Sequence, residues 1–246
     1  MCGRVTLATP ASEVAEIFQL PEMPALEPRY NIAPTQGVLV LRTPSGQHIR
    51  QIAFLRWGFI PHWASDAAVG NSMINARSES VMQKAAFREA FKHRRCLVII
   101  DGFYEWKKSG KRKEPYIFTM ADGKPFALAG LWEENYVVPL SQVPLSTAVS
   151  KDARVESFTI LTTASNTLIA PLHDRMPLIL DREHYDLWLD PAVNDPALIK
   201  PLLTAYAAEL MRSRPVNDYV NDPKHEGRRC LEAPESPAVE KTLWDV

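Results

Sequence analysis

The stretch CLVIIDGFYEWKKSGKRKEPYIFTM, from Cys96 to Met120, decides the fold class. Its first five residues are a continuous apolar run, which reads as a strand buried on both sides, and a glycine turn at Gly102 follows it. The apolar segment Tyr116–Met120 comes next, and with Phe126–Leu131 it flanks Asp122-Gly123, a turn dipeptide that predicts a hairpin. Working outward, Val38–Arg42 and Ile49–Phe54 bracket Pro44-Ser45-Gly46 and read as another hairpin. Phe158–Thr163 and Leu178–Leu180 are further strands. Helices are fewer. One is predicted over 12–18 behind Thr9-Pro10, one from Ser78 to Arg95 with Met82, Ala86, Phe87, Ala90 and Phe91 on one face, and two near the end over 183–189 and 196–211. Residues 21–34 read as a proline-rich loop, 134–157 as a long surface loop, and everything after Pro234 as a polar tail.

Strands linked by hairpins, without regular strand–helix–strand alternation, give an α+β class. The expectation is a single domain over 2–234, with a strongly bent, barrel-like antiparallel sheet, peripheral helices and a tail at 235–246. At 246 residues and 46% hydrophobic content the chain can bury a substantial core. Its net charge of −1 excludes a general basic coat, so any nucleic-acid binding must come from local Arg and Lys clusters. The three cysteines have neither disulfide-framework nor metal-site spacing, so a cytoplasmic, reduced setting and no metal or cofactor are expected. No run is long and apolar enough to span a membrane, and the N-terminus has no signal-peptide pattern.

Residue 2 carries the most distinctive chemistry. Once Met1 is clipped, Cys2 presents a free α-amine and a thiol on adjacent carbons. The amine titrates near about 7.7–8.0 and the thiol near about 8.5, so both are usable nucleophiles around neutrality. An amine condenses with an aldehyde to an imine, the neighbouring thiol then attacks the same carbon, and a thiazolidine ring closes.

Six segments concentrate polar, charged and aromatic side chains beside the predicted strands: Cys2-Gly3-Arg4, Arg29 to Pro34, Trp57 to Trp63, Asn75 to Glu79, Asp101 to Lys108, and Pro171 to Pro177. Their order and wording resemble the SRAP (SOS response-associated peptidase) family, from Cys2 to about Pro234. The resemblance implies recognition of abasic sites in single-stranded DNA and covalent capture of the ring-opened sugar by Cys2. It also implies an enzyme acting in a single turnover, with peptidase or lyase character, and a monomer with no membrane partner. Glu105 then shuttles protons, its pKa raised beside aromatic surface; by spacing alone it is equally a surface carboxylate paired with Lys107 or Lys108. His173 protonates the ring oxygen of the closed sugar, although a lone histidine is more often packed or solvated. Asn75 orients the Cys2 amine or the sugar hydroxyls, or simply forms a turn.

Arg4, Arg77 and Arg175 each lie within two residues of one of these groups and read as a phosphate clamp, with ion pairs to Asp101, Asp174 or Glu79 as the structural alternative. Trp57, Trp63 and Trp106 are candidates for stacking on bases, Trp57 being the one best suited to a core, and Lys107 opens a basic hairpin tip that attracts the DNA backbone. The rival class is an N-terminal-nucleophile amidohydrolase, in which Cys2 attacks an amide. Those enzymes use an oxyanion-hole Asn-Gly, a dipeptide this chain lacks.

Overall fold

The structure is a computed structural model that describes residues 2–20, 23–44, 46–47, 49–110, 112–143 and 154–235. Its centre is a closed five-stranded barrel made of β3 (Gly37–Arg42), β4 (Gln51–Trp57), β6 (Arg95–Ile100), β9 (Phe126–Asn135) and β10 (Val155–Ala164). The apolar run that opens the decisive stretch is β6, buried along its whole length between β3 and β9. Closure is made by β9 against β10, with Ile160 opposite Gly130. A Cβ on Gly130 would lie 2.9 Å from the Cys96 sulfur and 3.1 Å from the Thr159 carbonyl oxygen, so only glycine lets the strands meet here. The antiparallel expectation holds for most pairings, but β10 runs parallel to β4 and to β5 (Asn75–Arg77). β11 (Arg175–Pro177) and β12 (Ile179–Leu180) extend the sheet from β10 and β9.

A second sheet has the order β13-β8-β7-β1-β2, from β1 (Val5–Leu7), β2 (Arg29–Ile32), β7 (Gly102–Ser109), β8 (Arg112–Met120) and β13 (Met211–Pro215). One face joins the main core through Phe103 and Phe118, stacked 5.2 Å apart. The other face carries Tyr104 and Ile117, which with Tyr30 are covered by Val216, Val220 and Cys230. Helices α1 (Ala11–Phe18), α2 (Arg88–His93), α3 (Tyr185–Leu189) and α4 (Pro196–Ile199) are short and peripheral.

Several expectations need correction. The hairpin around Asp122-Gly123 does not form: β8 is paired on both edges by β7 and β13, and β9 belongs to the barrel, so the turn is a corner between sheets. The long helix from Ser78 shrinks to α2: single hydrogen-bonded turns occupy the residues before Arg88, while the Ser78 N–H ties the chain to the Thr162 carbonyl at 2.9 Å. The helix over 196–211 stops at Ile199, since Pro201 supplies no N–H to continue its hydrogen bonds, and after short turns at Lys200–Leu202 and Ala208–Leu210 the chain enters β13. The loop over 21–34 contains β2. The loop over 134–157 narrows, β9 reaching Asn135 and β10 starting at Val155; residues 144–153 of it, like 236–246 of the tail, lie outside the described residues. Among the described residues no helix is long and apolar enough to cross a membrane.

Candidate active site at the amino terminus

Cys2 precedes β1 and is fully buried. Its position is fixed from β5, where the Asn75 side-chain amide donates to the Cys2 carbonyl oxygen at 2.7 Å. The Asn75 oxygen is buried without a hydrogen-bond partner among the described residues, an acceptor the site leaves available. β5 is aligned by its parallel pairing to β10, Asn75 opposite Ile160.

Glu105 lies in the middle of β7, not at a strand end, opposite Tyr116 of β8. It is 4% exposed, and burial raises its pKa against the opposing positive charge of the amino terminus. Burial, seconded by the nearby Glu105 charge, pushes the Cys2 thiol far up, so the sulfur is held as the neutral thiol; the amino-terminal charge acts in the other direction. These mutual influences bring thiol, carboxylate and amino terminus into one electrostatic cluster.

His173 closes the loop after β10. Asn166 caps that loop by accepting from the Leu168 and Ile169 N–H groups, and the His173 N–H donates to the Ile169 carbonyl at 3.0 Å. Its Nδ1 accepts the Arg175 backbone N–H at 2.9 Å and also lies 2.8 Å from an Asp174 carboxylate oxygen. The two contacts ask for opposite states of Nδ1. Burial, aided by the amino-terminal charge, lowers the imidazole pKa despite Asp174, so the neutral ring with its proton on Nε2 is favoured.

The candidate DNA-facing residues are placed very differently. Arg77 is exposed and makes no side-chain hydrogen bond or ion pair among the described residues. Arg175 is not a free fork: it grips the Glu79 carboxylate with two bonds of 2.6 and 2.8 Å and donates to the Thr162 carbonyl. This pairing, one of the structural alternatives, holds the Glu79 pKa down and fastens the chain after β5 to β11. Arg4 turns inward to Asn31 and the Val220 carbonyl. Trp57 is fully buried, donates from Nε1 to the Ile74 carbonyl at 2.9 Å and stacks on Phe158, so it is a core residue and not a platform for bases. Trp63 is 59% exposed, Trp106 is half-buried, and Lys107 is exposed. Asn31 acts in this region although its sequence position assigned it no role, whereas Glu79 takes the ion-pair alternative. For Asn31 the signal was an amide within an apolar run, a group that demands partners once buried. No group of three His, Cys, Asp or Glu side chains among the described residues could hold a metal.

A closed barrel is thus flanked by a second sheet, with Cys2 buried at the start of that sheet, its carbonyl held by the Asn75 amide and its thiol in the field of the Glu105 carboxylate. The chain belongs to the SOS response associated peptidase (SRAP) family, which it matches over residues 1–223. It is similar to the abasic site processing protein YoqW of Bacillus subtilis, 37% identical over 237 residues that cover 95% of this chain and 100% of that protein. It is likewise similar to the abasic site processing protein YoaM of Bacillus subtilis, at 35% identity over 95% of this chain and 98% of that one. A crystal structure of a protein from Bacteroides thetaiotaomicron shares the fold, with a TM-score of 0.75 at 24% identity over 95% of this chain and 100% of that one.

Proposed function

We propose that this protein recognises abasic sites in single-stranded DNA and captures them as a thiazolidine on Cys2 after Met1 has been removed. The observation that carries the reading is the placement of residue 2: its carbonyl is held by Asn75 at 2.7 Å while its thiol lies in the field of buried Glu105. The names of the relatives, abasic site processing proteins, support the same lesion.

The abasic sugar is mainly a closed hemiacetal. His173 assists its opening by delivering a proton to the ring oxygen, which yields the aldehyde. The Cys2 amine adds to that carbon, and Glu105 carries protons as water leaves and the imine forms. The thiol then adds across the C=N bond: sulfur bonds to carbon, its proton goes to nitrogen, and the five-membered ring closes. One water is released overall and no oxidant or reductant is needed. Proximity drives the last step, because both nucleophiles belong to one residue. Arg77 offers the exposed cation for a phosphate, Lys107 adds charge and Trp63 an exposed ring, whereas Arg175 must exchange Glu79 for phosphate before it can contribute.

The test is a denaturing gel of the protein with an abasic single-stranded oligonucleotide, with mass spectrometry to verify that the protein begins at Cys2. A heat-stable adduct without borohydride is expected from wild type, and none from Cys2→Ala or from a protein with an uncleavable N-terminal extension. Adducts that require borohydride, or that persist in the extended protein, would overturn the reading.

A further inference from the structure

We propose that the segment Asn217–Leu231 is a clasp that positions Cys2 and Glu105 from behind the second sheet, and that Arg4 is its lever, a positioning residue and not a phosphate contact. The inference rests on the covalent reading above and assigns a role to residues outside the reacting groups.

Three side chains connect the site strands to the clasp. Arg4 lies two residues after Cys2; its backbone carbonyl accepts the Tyr104 N–H at 3.0 Å, one residue before Glu105. Its Nη1 donates to the Asn31 side-chain oxygen at 2.6 Å and to the Val220 carbonyl at 3.0 Å. Asn31, fully buried on β2, spends its amide on the Val220, Asp222 and His225 carbonyls at 3.3, 2.9 and 2.8 Å. Trp106, the neighbour of Glu105, donates from its indole to the Asn221 side chain at 2.6 Å. The Arg4 guanidinium lies 5.8 Å from the Trp106 ring centroid, which joins the two braces.

The clasp is itself stiff. Tyr219 stacks on His225 at 3.8 Å, the Asn217 N–H donates to the Glu232 carbonyl at 2.7 Å, and the Glu226 carboxylate accepts the Tyr30 N–H. A buried amide that meets three carbonyls of one short segment fixes that segment's path. The same geometry withholds the bidentate grip of Arg4 from DNA. With Nη1 turned inward and Nε buried without a partner among the described residues, only Nη2 is left, and the fork that grips phosphate with two bonds is not presented.

The experiment measures single-turnover cross-linking rate, affinity for undamaged single strand over a salt series, and amide-exchange protection of residues 3–5 and 103–106, in the full chain beginning at Cys2. For Arg4→Met the expected result is a cross-linking rate down at least about tenfold, since small displacements of reacting groups are costly. Affinity should stay within about twofold at every salt concentration and exchange protection around Cys2 should fall. Asn31→Ala should behave alike, and the double variant should be little worse than either single, because the two act as one brace. Arg4→Lys, which keeps a donor for Asn31, should recover part of the rate. A salt slope reduced by about one contact in Arg4→Met identifies a phosphate ligand and overturns the proposal, as does an unchanged rate in the folded variant. Should Arg4→Met fail to fold, Asn221→Ala loosens only the Trp106 brace; an unchanged rate there overturns the clasp. Should wild type itself form no adduct, the capture reading fails, and exchange protection alone then decides the clasp: lost protection supports it, retained protection refutes it.

Discussion

Arg95→Met should cost the protein about 3–5 kcal/mol of stability while leaving chemistry at Cys2 intact. Arg95 is 4% exposed at the start of β6, and its guanidinium serves five carbonyls. Nε donates to Trp188 at 2.7 Å, Nη1 to Phe91 and Lys92 at 2.8 Å each, and Nη2 to Asp190 and Val193 at 2.5 and 3.0 Å. Four of those carbonyls lie at the ends of α2 and α3 and the fifth, Val193, in the segment that follows α3, so one side chain caps two helix C-termini and fastens both to the barrel. Charge-assisted bonds are worth about 1.5–3 kcal/mol each, which for five sums to roughly 7–15 kcal/mol. Against this stands desolvation, which pulls the guanidinium pKa down to about 10 despite the nearby Asp190 charge and so offsets part of that sum. Methionine fills much of the space, and water reaches some of the freed carbonyls, which returns part of the gross sum. The remainder falls in the range of about 3–5 kcal/mol found when a buried charge network is broken. For a chain of this length that is a melting point lower by about 6–20 °C. Urea unfolding with a parallel thermal melt measures it, and the cross-linking rate at low temperature serves as the control. A loss below about 1 kcal/mol would refute the capping argument, and a selective loss of cross-linking without a stability change would place Arg95 in the site.

The remaining expectations concern the site and its surroundings. Glu105→Gln and His173→Ala should each slow cross-linking by about 10²–10⁴-fold with nearly unchanged melting, and rates equal to wild type would remove them from the proposed mechanism. Because burial lowers the His173 pKa, a rate that uses its protonated form should rise only as pH falls below the ordinary histidine value near 6.5, and a pH–rate profile that is lost in His173→Ala checks it. Arg77→Ala should reduce the salt slope of single-strand binding by nearly one contact, whereas a salt-independent affinity would contradict phosphate binding there. The Glu79–Arg175 pair holds the Glu79 pKa below its usual 4.5, so its stabilisation is complete above that value and is lost as pH falls through the lowered one; Glu79→Gln should flatten the acid limb of the stability curve. Trp57→Ala should lower the melting point by opening the core, while Trp63→Ala should leave it unchanged and weaken only strand binding.

What could be read from the sequence divides along the range of the interactions. β6 was legible because five consecutive apolar residues admit few alternatives to a buried strand, and β3 with β4 because a turn signal lay between two apolar runs. The corner at Asp122-Gly123 was not, since a turn dipeptide carries no information on whether its flanks pair with each other or with distant strands. The helix from Ser78 has the right apolar spacing, but that spacing also suits the successive single turns that occupy most of it, so its length was not legible. The site divides in the same manner. Cys2 announces its chemistry through covalent structure alone, whereas the partners of Arg4 and Arg175 depend on residues 216 and 96 positions away and had no local trace. Cationic residues near a proposed centre were read as ligands for phosphate, and two of the three are committed to the protein itself.

The electrostatics around Cys2 make the proposed capture depend on what happens at residue 1. Burial and the Glu105 charge hold the thiol neutral, and the largest opposing influence is the positive amino terminus. While Met1 is attached, that charge is one residue removed from the sulfur; once it is gone, the amine sits on the carbon next to the one that bears the thiol. Coulombic attraction grows as the separation shrinks and is strongest where water is excluded, so after the proposed cleavage the protonated amine lowers the cost of forming thiolate beside it, and its deprotonated form is the nucleophile. Glu105, itself raised in pKa by burial, is drawn toward ionisation by the amino-terminal cation, and in the proposed mechanism it carries the protons exchanged as the amine forms the imine. In the proposed mechanism a single peptide-bond cleavage thereby supplies the amine and brings its charge next to the thiol, which is why residue 2, and no interior cysteine such as the equally buried Cys96, carries the proposed chemistry.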